Sequence, residues 1–459
     1  MEYNFDIEKI KYSTTFRIRK IELLKFLEFY FTNNRPKNFI NYEKELSKFL
    51  PEIMSSMSFD ELLYLIPNYY QFCYTITLDQ NYLVAQKKIL NNLLNPFSEI
   101  LISRLNELKI EPLKYTLNDN NYLIFCRHAN TTGMYAPGSV IYSITSGLLK
   151  KQKKIILISL GIIDQKFVDL HKSNPNLILV KKKENSSSYE QFVNLRAICQ
   201  QMRPVKIITE MPVNIGTALY YSKVSSKILY WSPGFTHVPW FDKVLLIPEL
   251  INKNLTKNKK FIEIPKSLNF ELLNPKINPK DLNEFKNKHF ISNSDFLIGT
   301  FSRYEKISAE YLNLVSQILS EDPSRKIIIA GSNDRSLAEN MLKKFIIKKQ
   351  AIILGLSDIH ILGNCCNVFL DTIPFPCGSS AIEIMAKGKP VVSLQQANLA
   401  SYKKSRVSEL ILKNQVELIK VIDRLENDTQ FYSDMSTKSL EVAKSYDNSL
   451  KLANSIISI

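Results

Sequence analysis

Asp371-Thr-Ile-Pro-Phe-Pro-Cys-Gly-Ser-Ser-Ala-Ile-Glu383 compresses a strand end, a turn and a helix start into one short run. Asn367–Asp371 reads as a buried strand, the prolines at 374 and 376 end it, and Gly378-Ser379-Ser380 opens an apolar helix reaching about Lys387. The first N–H groups of a helix have no intrahelical partners and lie at the positive end of its dipole. Cys377, Gly378, Ser379 and Ser380 therefore outline a place for a diphosphate. Glu383 stands about one turn into that helix, where a carboxylate facing the ligand accepts two ribose hydroxyls. The plainer reading is a strand-turn-helix unit in which the serines cap and Glu383 is solvated.

A second group lies at Gly299–Ile307, which leaves a strand and enters a helix beginning near Ser308. Lys306 in that position neutralises a departing diphosphate, with Ser302 and Arg303 adding hydrogen bonds; otherwise it is an exposed lysine before a helix capped by Ser308. In the first half of the chain, the strand Tyr122–Cys126 runs into Arg127-His128. A neutral imidazole at that strand end can take a proton from an acceptor hydroxyl or orient a sugar, and a satisfied structural histidine is the competing reading. His237, in the loop Trp231–Trp240, is an acceptor-side candidate of the same kind, although aromatic packing explains its loop equally well. Glu210, at another strand end, and Asn214 complete that set.

The elements that must position these residues follow from hydrophobic spacing. Residues 5–112 carry helical periodicity and no strands, as in Ile21–Tyr30 and Tyr82–Leu108. After Asn118-Asp-Asn-Asn121 short apolar runs alternate with helical stretches: Tyr122–Cys126, Ile155–Ser159, Leu177–Val180, Val205–Thr209, Ile228–Trp231 and Val244–Ile247. A turn-rich connection at about 250–290 precedes a second series: Phe296–Thr300, Lys326–Ala330, Ala351–Leu354, Val368–Asp371 and Val391–Leu394. That alternation marks parallel sheets covered by helices on both faces, with ligands at the carboxyl ends of the strands. Final helices at about 415–425 and 429–456 close the second domain or cross back to the first.

With 459 residues and 45% hydrophobic content, the chain can build two or three cores. Nineteen Pro, twelve Gly and no Gly/Ser-rich tract leave no room for long flexible linkers. The 60 Lys and Arg exceed the 44 Asp and Glu by 16, but the excess is spread along the chain, and its dense runs (150–154, 181–183, 257–260) read as solvated boundaries. The six cysteines form neither a C-x-x-C pair nor a zinc-ligand set, which argues against zinc and a disulfide framework. There is no Asp-x-Asp, no Gly-x-x-x-x-Gly-Lys-Ser/Thr loop and no Gly-x-Gly-x-x-Gly, which weighs against metal-bridged diphosphate binding, NTPases and dehydrogenases. No apolar run approaches the roughly 20 residues of a membrane span, and no signal peptide is visible, so a cytoplasmic location is expected.

Phe301-Ser-Arg-Tyr-Glu-Lys-Ile307 resembles the loop carrying the pyrophosphate-binding lysine in glycosyltransferase family 41, which comprises protein O-linked N-acetylglucosamine transferases and adhesin-modifying cytoplasmic N-glycosyltransferases. Asp371–Glu383 is similar to that family's second donor motif, Pro374–Gly378 being closer to the adhesin-modifying branch and the Asp371-to-Glu383 spacing to the O-linked branch. The resemblance covers mainly residues 296–410. Gly378 stands where the family has His or Asn, and Glu383 where it has Asp. Glu383 in an apolar helix before Gly-Lys-Pro-Val-Val also resembles the broad, often retaining, family 4 glycosyltransferases.

The resemblance implies a GT-B fold: two doubly wound parallel-sheet domains facing across a cleft. Here they follow an α-helical N-terminal domain, at 1–115 (helical), 116–285 (acceptor side) and 286–459 (nucleotide-sugar binding). It further implies a UDP-sugar donor, an acceptor protein and inversion at the anomeric carbon. No metal, cofactor or nucleic acid is expected, and basic patches allow peripheral membrane contact. The alternatives are a family 4-like transferase for surface polysaccharide or glycolipid, and a non-catalytic nucleotide-sugar-fold binding protein.

Overall fold

The computed structural model describes residues 50–76, 90–131, 136–181, 186–211, 213–232, 240–247, 258–331, 350–374, 376–395 and 404–459. The helical stretch Ile21–Tyr30 and the acceptor-side candidate His237 lie outside them.

Two parallel sheets carry the fold. The first contains β1 (Asn118–Cys126), β2 (Lys154–Ser159), β3 (Leu177–Lys181), β4 (Pro204–Thr209), β5 (Lys227–Trp231), β6 (Lys243–Leu246) and β7 (Phe261–Glu263), in the order β3-β2-β1-β4-β5-β6-β7. The second contains β8 (Phe296–Phe301), β9 (Arg325–Ala330), β10 (Ala351–Leu354), β11 (Val368–Leu370), β12 (Val391–Leu394) and β13 (Ile411–Leu412), in the order β10-β9-β8-β11-β12-β13. Every pairing is parallel. Strands shielded on both faces need continuous apolar runs, and β2 and β9 are buried along nearly their whole length. In each sheet the chain winds outward one way for three strands and then restarts on the other side of the first. The strand order thus reverses between β1 and β4 and between β8 and β11.

The chain clusters into two compact units: residues up to Ala129 with Leu148–Glu263, and Asn130–Gly147 with Ile264–Ile459. The helices Phe59–Ile76 and Asn95–Glu107 share one buried core with the first sheet. Phe59 packs against Phe192 at 5.4 Å between ring centroids, and Phe97 against Trp240 at 5.8 Å. Asp60 adds a cap to the neighbouring helix, accepting the Tyr189 N–H at 2.7 Å. The described N-terminal helices belong to the first core, and the second unit takes Asn130–Gly147 as well as the chain from Ile264 onward.

The second unit also holds most of the helix Ala136–Lys150. A Cβ on Gly147 would fall 2.2 Å from the carbonyl oxygen of Ser449, so only glycine lets that helix meet the start of Ser449–Ile457 so closely. The three terminal helices, Gln415–Asn427, Thr429–Lys444 and Ser449–Ile457, belong to this unit. Among the described residues no helix is long and apolar enough to cross a membrane.

Candidate functional site

In the second unit, Lys306 and the Asp371–Glu383 segment follow β8 and β11, the two strands that flank the order reversal. Thr300 ties those strands together, its Oγ1 donating to Leu370 O at 2.7 Å. Beyond β8 the chain is held close to β9: Ser302 N donates to Ala330 O at 2.9 Å, and a Cβ on Gly331 would lie 1.8 Å from Ser302 O. A short 3-10 turn, Tyr304–Lys306, follows. Ser308 then caps the helix Ala309–Glu321, accepting Tyr311 N–H at 3.0 Å while its hydroxyl donates to Ile373 O at 2.7 Å.

The loop after β11 is held carbonyl by carbonyl. Besides Ile373 O, Pro376 O accepts from Lys306 Nζ at 2.9 Å, and Cys377 O accepts from Arg406 Nη2. Asp371, 2% exposed, anchors the other side: Oδ1 accepts the N–H groups of Thr372 (3.0 Å) and Cys377 (2.5 Å). Its Oδ2 accepts from Ser393 Oγ (2.9 Å), Arg406 Nε (3.2 Å) and Arg406 Nη2 (2.9 Å). Burial lowers the pKa of Lys306, with Cys377 and Asp371 opposing that shift and Arg303 and Arg406 adding to it. Burial, reinforced by Asp371, raises the pKa of the Cys377 thiol, so the thiol stays protonated.

The helix Ser379–Met385 starts at half-buried residues. No described residue accepts the N–H groups of Gly378, Ser379 or Ser380. A Cβ on Gly378 would meet no described atom within 4 Å, so the backbone there faces open space. Glu383 is 4% exposed rather than solvated on the helix surface. Lys387, one turn on, donates to Glu383 O at 2.9 Å and Leu273 O at 2.6 Å. Burial pulls the Lys387 pKa down to about 8 against the raising effects of Glu383 and Asp358.

In the first unit, His128 and Glu210 follow β1 and β4, again at the order reversal. The His128 ring covers Gly161, whose Cβ would fall 2.5 Å from Nδ1. His128 Nδ1 accepts the Ile162 N–H at 3.0 Å, and burial, assisted by Arg127, lowers the imidazole pKa. A neutral ring whose Nδ1 accepts carries its proton on Nε2. Glu210, 2% exposed, accepts the Arg127 N–H at 2.6 Å. Asn214 is spent on local structure: it caps the helix Ile215–Tyr221 through Oδ1 and Gly216 N–H, and its Nδ2 donates to Met211 O and Thr209 Oγ1. Arg406 and Ser393 escaped sequence reasoning altogether.

No protein-family model matches the chain, and no curated protein matches its sequence. Solved structures do. A mutant Thermobaculum terrenum O-GlcNAc transferase superposes with a TM-score of 0.56 at 13% identity, over 96% of this chain and 86% of its own. The Anabaena protein HepE in complex with UDP-glucose gives 0.53 at 14%, over 73% of this chain and 98% of its own. WaaG, a glycosyltransferase involved in lipopolysaccharide biosynthesis, gives 0.50 at 11%, over 73% and 98%. With two all-parallel α/β units and these neighbours, the chain has the GT-B fold.

Proposed function

We propose that this chain is a cytoplasmic glycosyltransferase that moves a hexose or N-acetylhexosamine from a UDP-sugar to a protein side chain, with inversion and without a metal ion. One observation carries the reading: the Lys306 loop and the Asp371–Glu383 segment stand together at the order reversal of the second sheet, where doubly wound folds bind nucleotides. In this reading the diphosphate lies against the N–H groups of Gly378, Ser379 and Ser380, with Lys306, Arg303 and Ser302 beside it, and Glu383 accepts the ribose hydroxyls. As the acceptor nucleophile bonds to the anomeric carbon, the bond to the UDP oxygen breaks and its electron pair leaves with UDP. Lys306 and the N–H groups stabilise that charge. His128 donates through Nε2, and the nucleophile's proton passes to an oxygen of the departing diphosphate.

The likeness to the O-GlcNAc transferase over nearly the whole chain supports a protein acceptor. The likeness to WaaG and the basic composition favour a second reading, transfer to a glycolipid or polysaccharide. UDP release from a panel of UDP-sugars, with candidate acceptor polypeptides or lipid acceptors and with EDTA present, separates the two. Stimulation by polypeptide supports the first and by lipid alone the second; no UDP release under any condition identifies a non-catalytic binding protein.

A further inference from the structure

Resting on the donor reading of the same loop, we propose that Arg406 is its positioning residue: it fixes the peptide plane between Cys377 and Gly378 so that the Gly378 N–H is offered to the diphosphate.

The peptide planes lead to this. Both groups of Cys377 are taken from the protein side: its N–H by Asp371 Oδ1 and its carbonyl by Arg406 Nη2. In a trans peptide the carbonyl of one residue and the N–H of the next point in opposite directions. With the Cys377 carbonyl turned inward to Arg406, the Gly378 N–H turns the other way, to the side where a Cβ would find no described atom. The preceding plane obeys the same rule: Lys306 holds the Pro376 carbonyl, and the Cys377 N–H points back to Asp371.

Arg406 itself cannot be a ligand contact in this arrangement. Its side chain is 1% exposed, and its donors are distributed over Asp371 Oδ2, Cys377 O, Ser405 O and Ser405 Oγ. A planar fork suits this task, since it can bind a carboxylate and a neighbouring carbonyl at fixed angles; a lysine at the same place offers one nitrogen. Removing only one member of the buried pair strands the other charge, so the informative variants keep the balance.

The test compares wild type with Arg406→Lys and with the double variant Asp371→Asn/Arg406→Gln. It reads thermal melting, UDP affinity by calorimetry and uridine affinity by ligand-observed NMR. Arg406→Lys should melt near wild type yet bind UDP about tenfold more weakly, about 1.4 kcal/mol, with uridine affinity kept; the double variant should show the same selective loss. Undiminished UDP affinity in both variants overturns the role of Arg406 and leaves the donor reading intact. Parallel loss of UDP and uridine in step with the folded fraction overturns it too, in favour of a purely structural pair. Wild type that binds no UDP removes the donor reading, and this inference with it.

Discussion

Lys306 and Arg406 hold adjacent carbonyls of one loop: Lys306 Nζ donates to Pro376 O at 2.9 Å, and Arg406 Nη2 donates to Cys377 O. Arg406 is a buried strut whose charge Asp371 meets at 2.9 Å. Lys306 is different, because it is half-buried at the loop's edge and its pKa is pulled down by burial. An incoming diphosphate adds negative charge beside this lysine, so the same group that shapes the loop stabilises the departing UDP in the proposed reaction.

Lys306→Ala should therefore lower turnover about 10²–10³-fold, the effect of losing one preorganised electrostatic contact. Steady-state assays of UDP release check this. Turnover within a few-fold of wild type, in protein that binds UDP normally, removes Lys306 from the reaction. In wild type, activity should persist in excess EDTA; loss that Mn²⁺ or Mg²⁺ restores would place a metal in the leaving-group chemistry.

His128 tests the tautomer argument. A donor can be replaced by another donor, whereas a base cannot. His128→Gln should stay within about tenfold of wild type, and His128→Ala should fall about 10²-fold. Because the imidazole pKa is lowered from 6.5, the ring stays neutral as the solution acidifies through that value. Protonation leaves the Nε2–H in place, so a donating His128 should add no acid limb to turnover, and the glutamine variant should keep the wild-type pH profile. Equal losses in Gln and Ala variants, with a wild-type acid limb that both variants lack, would make His128 a base.

How much of this was legible in the sequence depends on how local the cause is. Apolar runs mark β8 and the buried part of β1 because those residues are specified by their own burial, while the exposed start of β1 at Asn118–Asn120 and the short β7 and β13 carry no pattern. The stretch read as one helix over 429–456 breaks between Lys444 and Ser449, with no Gly or Pro to announce it. Asn214 was legible in principle, since Asn-Ile-Gly-Thr is a capping sequence, and the structure uses it as one. Arg406 was not: its partner Asp371 lies 35 positions away, and nothing in the spacing of either residue encodes the other.

Glu383→Gln keeps the shape of the side chain and removes its charge. If the carboxylate accepts the ribose hydroxyls, the substitution should weaken UDP by about 1–3 kcal/mol in calorimetry while the affinity for inorganic diphosphate stays unchanged. Unchanged UDP affinity would assign Glu383 to the interior of its helix alone.

Lys387 gives the pH dependence a sign. In the folded protein its pKa is about 8, against an ordinary value of 10.5. Between these values the unfolded chain binds one more proton than the folded one, so this group makes stability rise with pH from about 8 to 10.5. Below that window the buried lysine is charged and its full desolvation cost is present. Lys387→Met should remove the rise: the difference in melting temperature between variant and wild type should change steadily in favour of wild type as pH increases from 8 to 10.5, and be flat below 8. Glu383 is the stronger of the two charges that hold the Lys387 pKa up, so Glu383→Gln should start the rise at lower pH. Parallel curves for wild type and Lys387→Met across the whole range would show that the lysine stays charged in the fold, with its two carbonyl bonds outweighing burial.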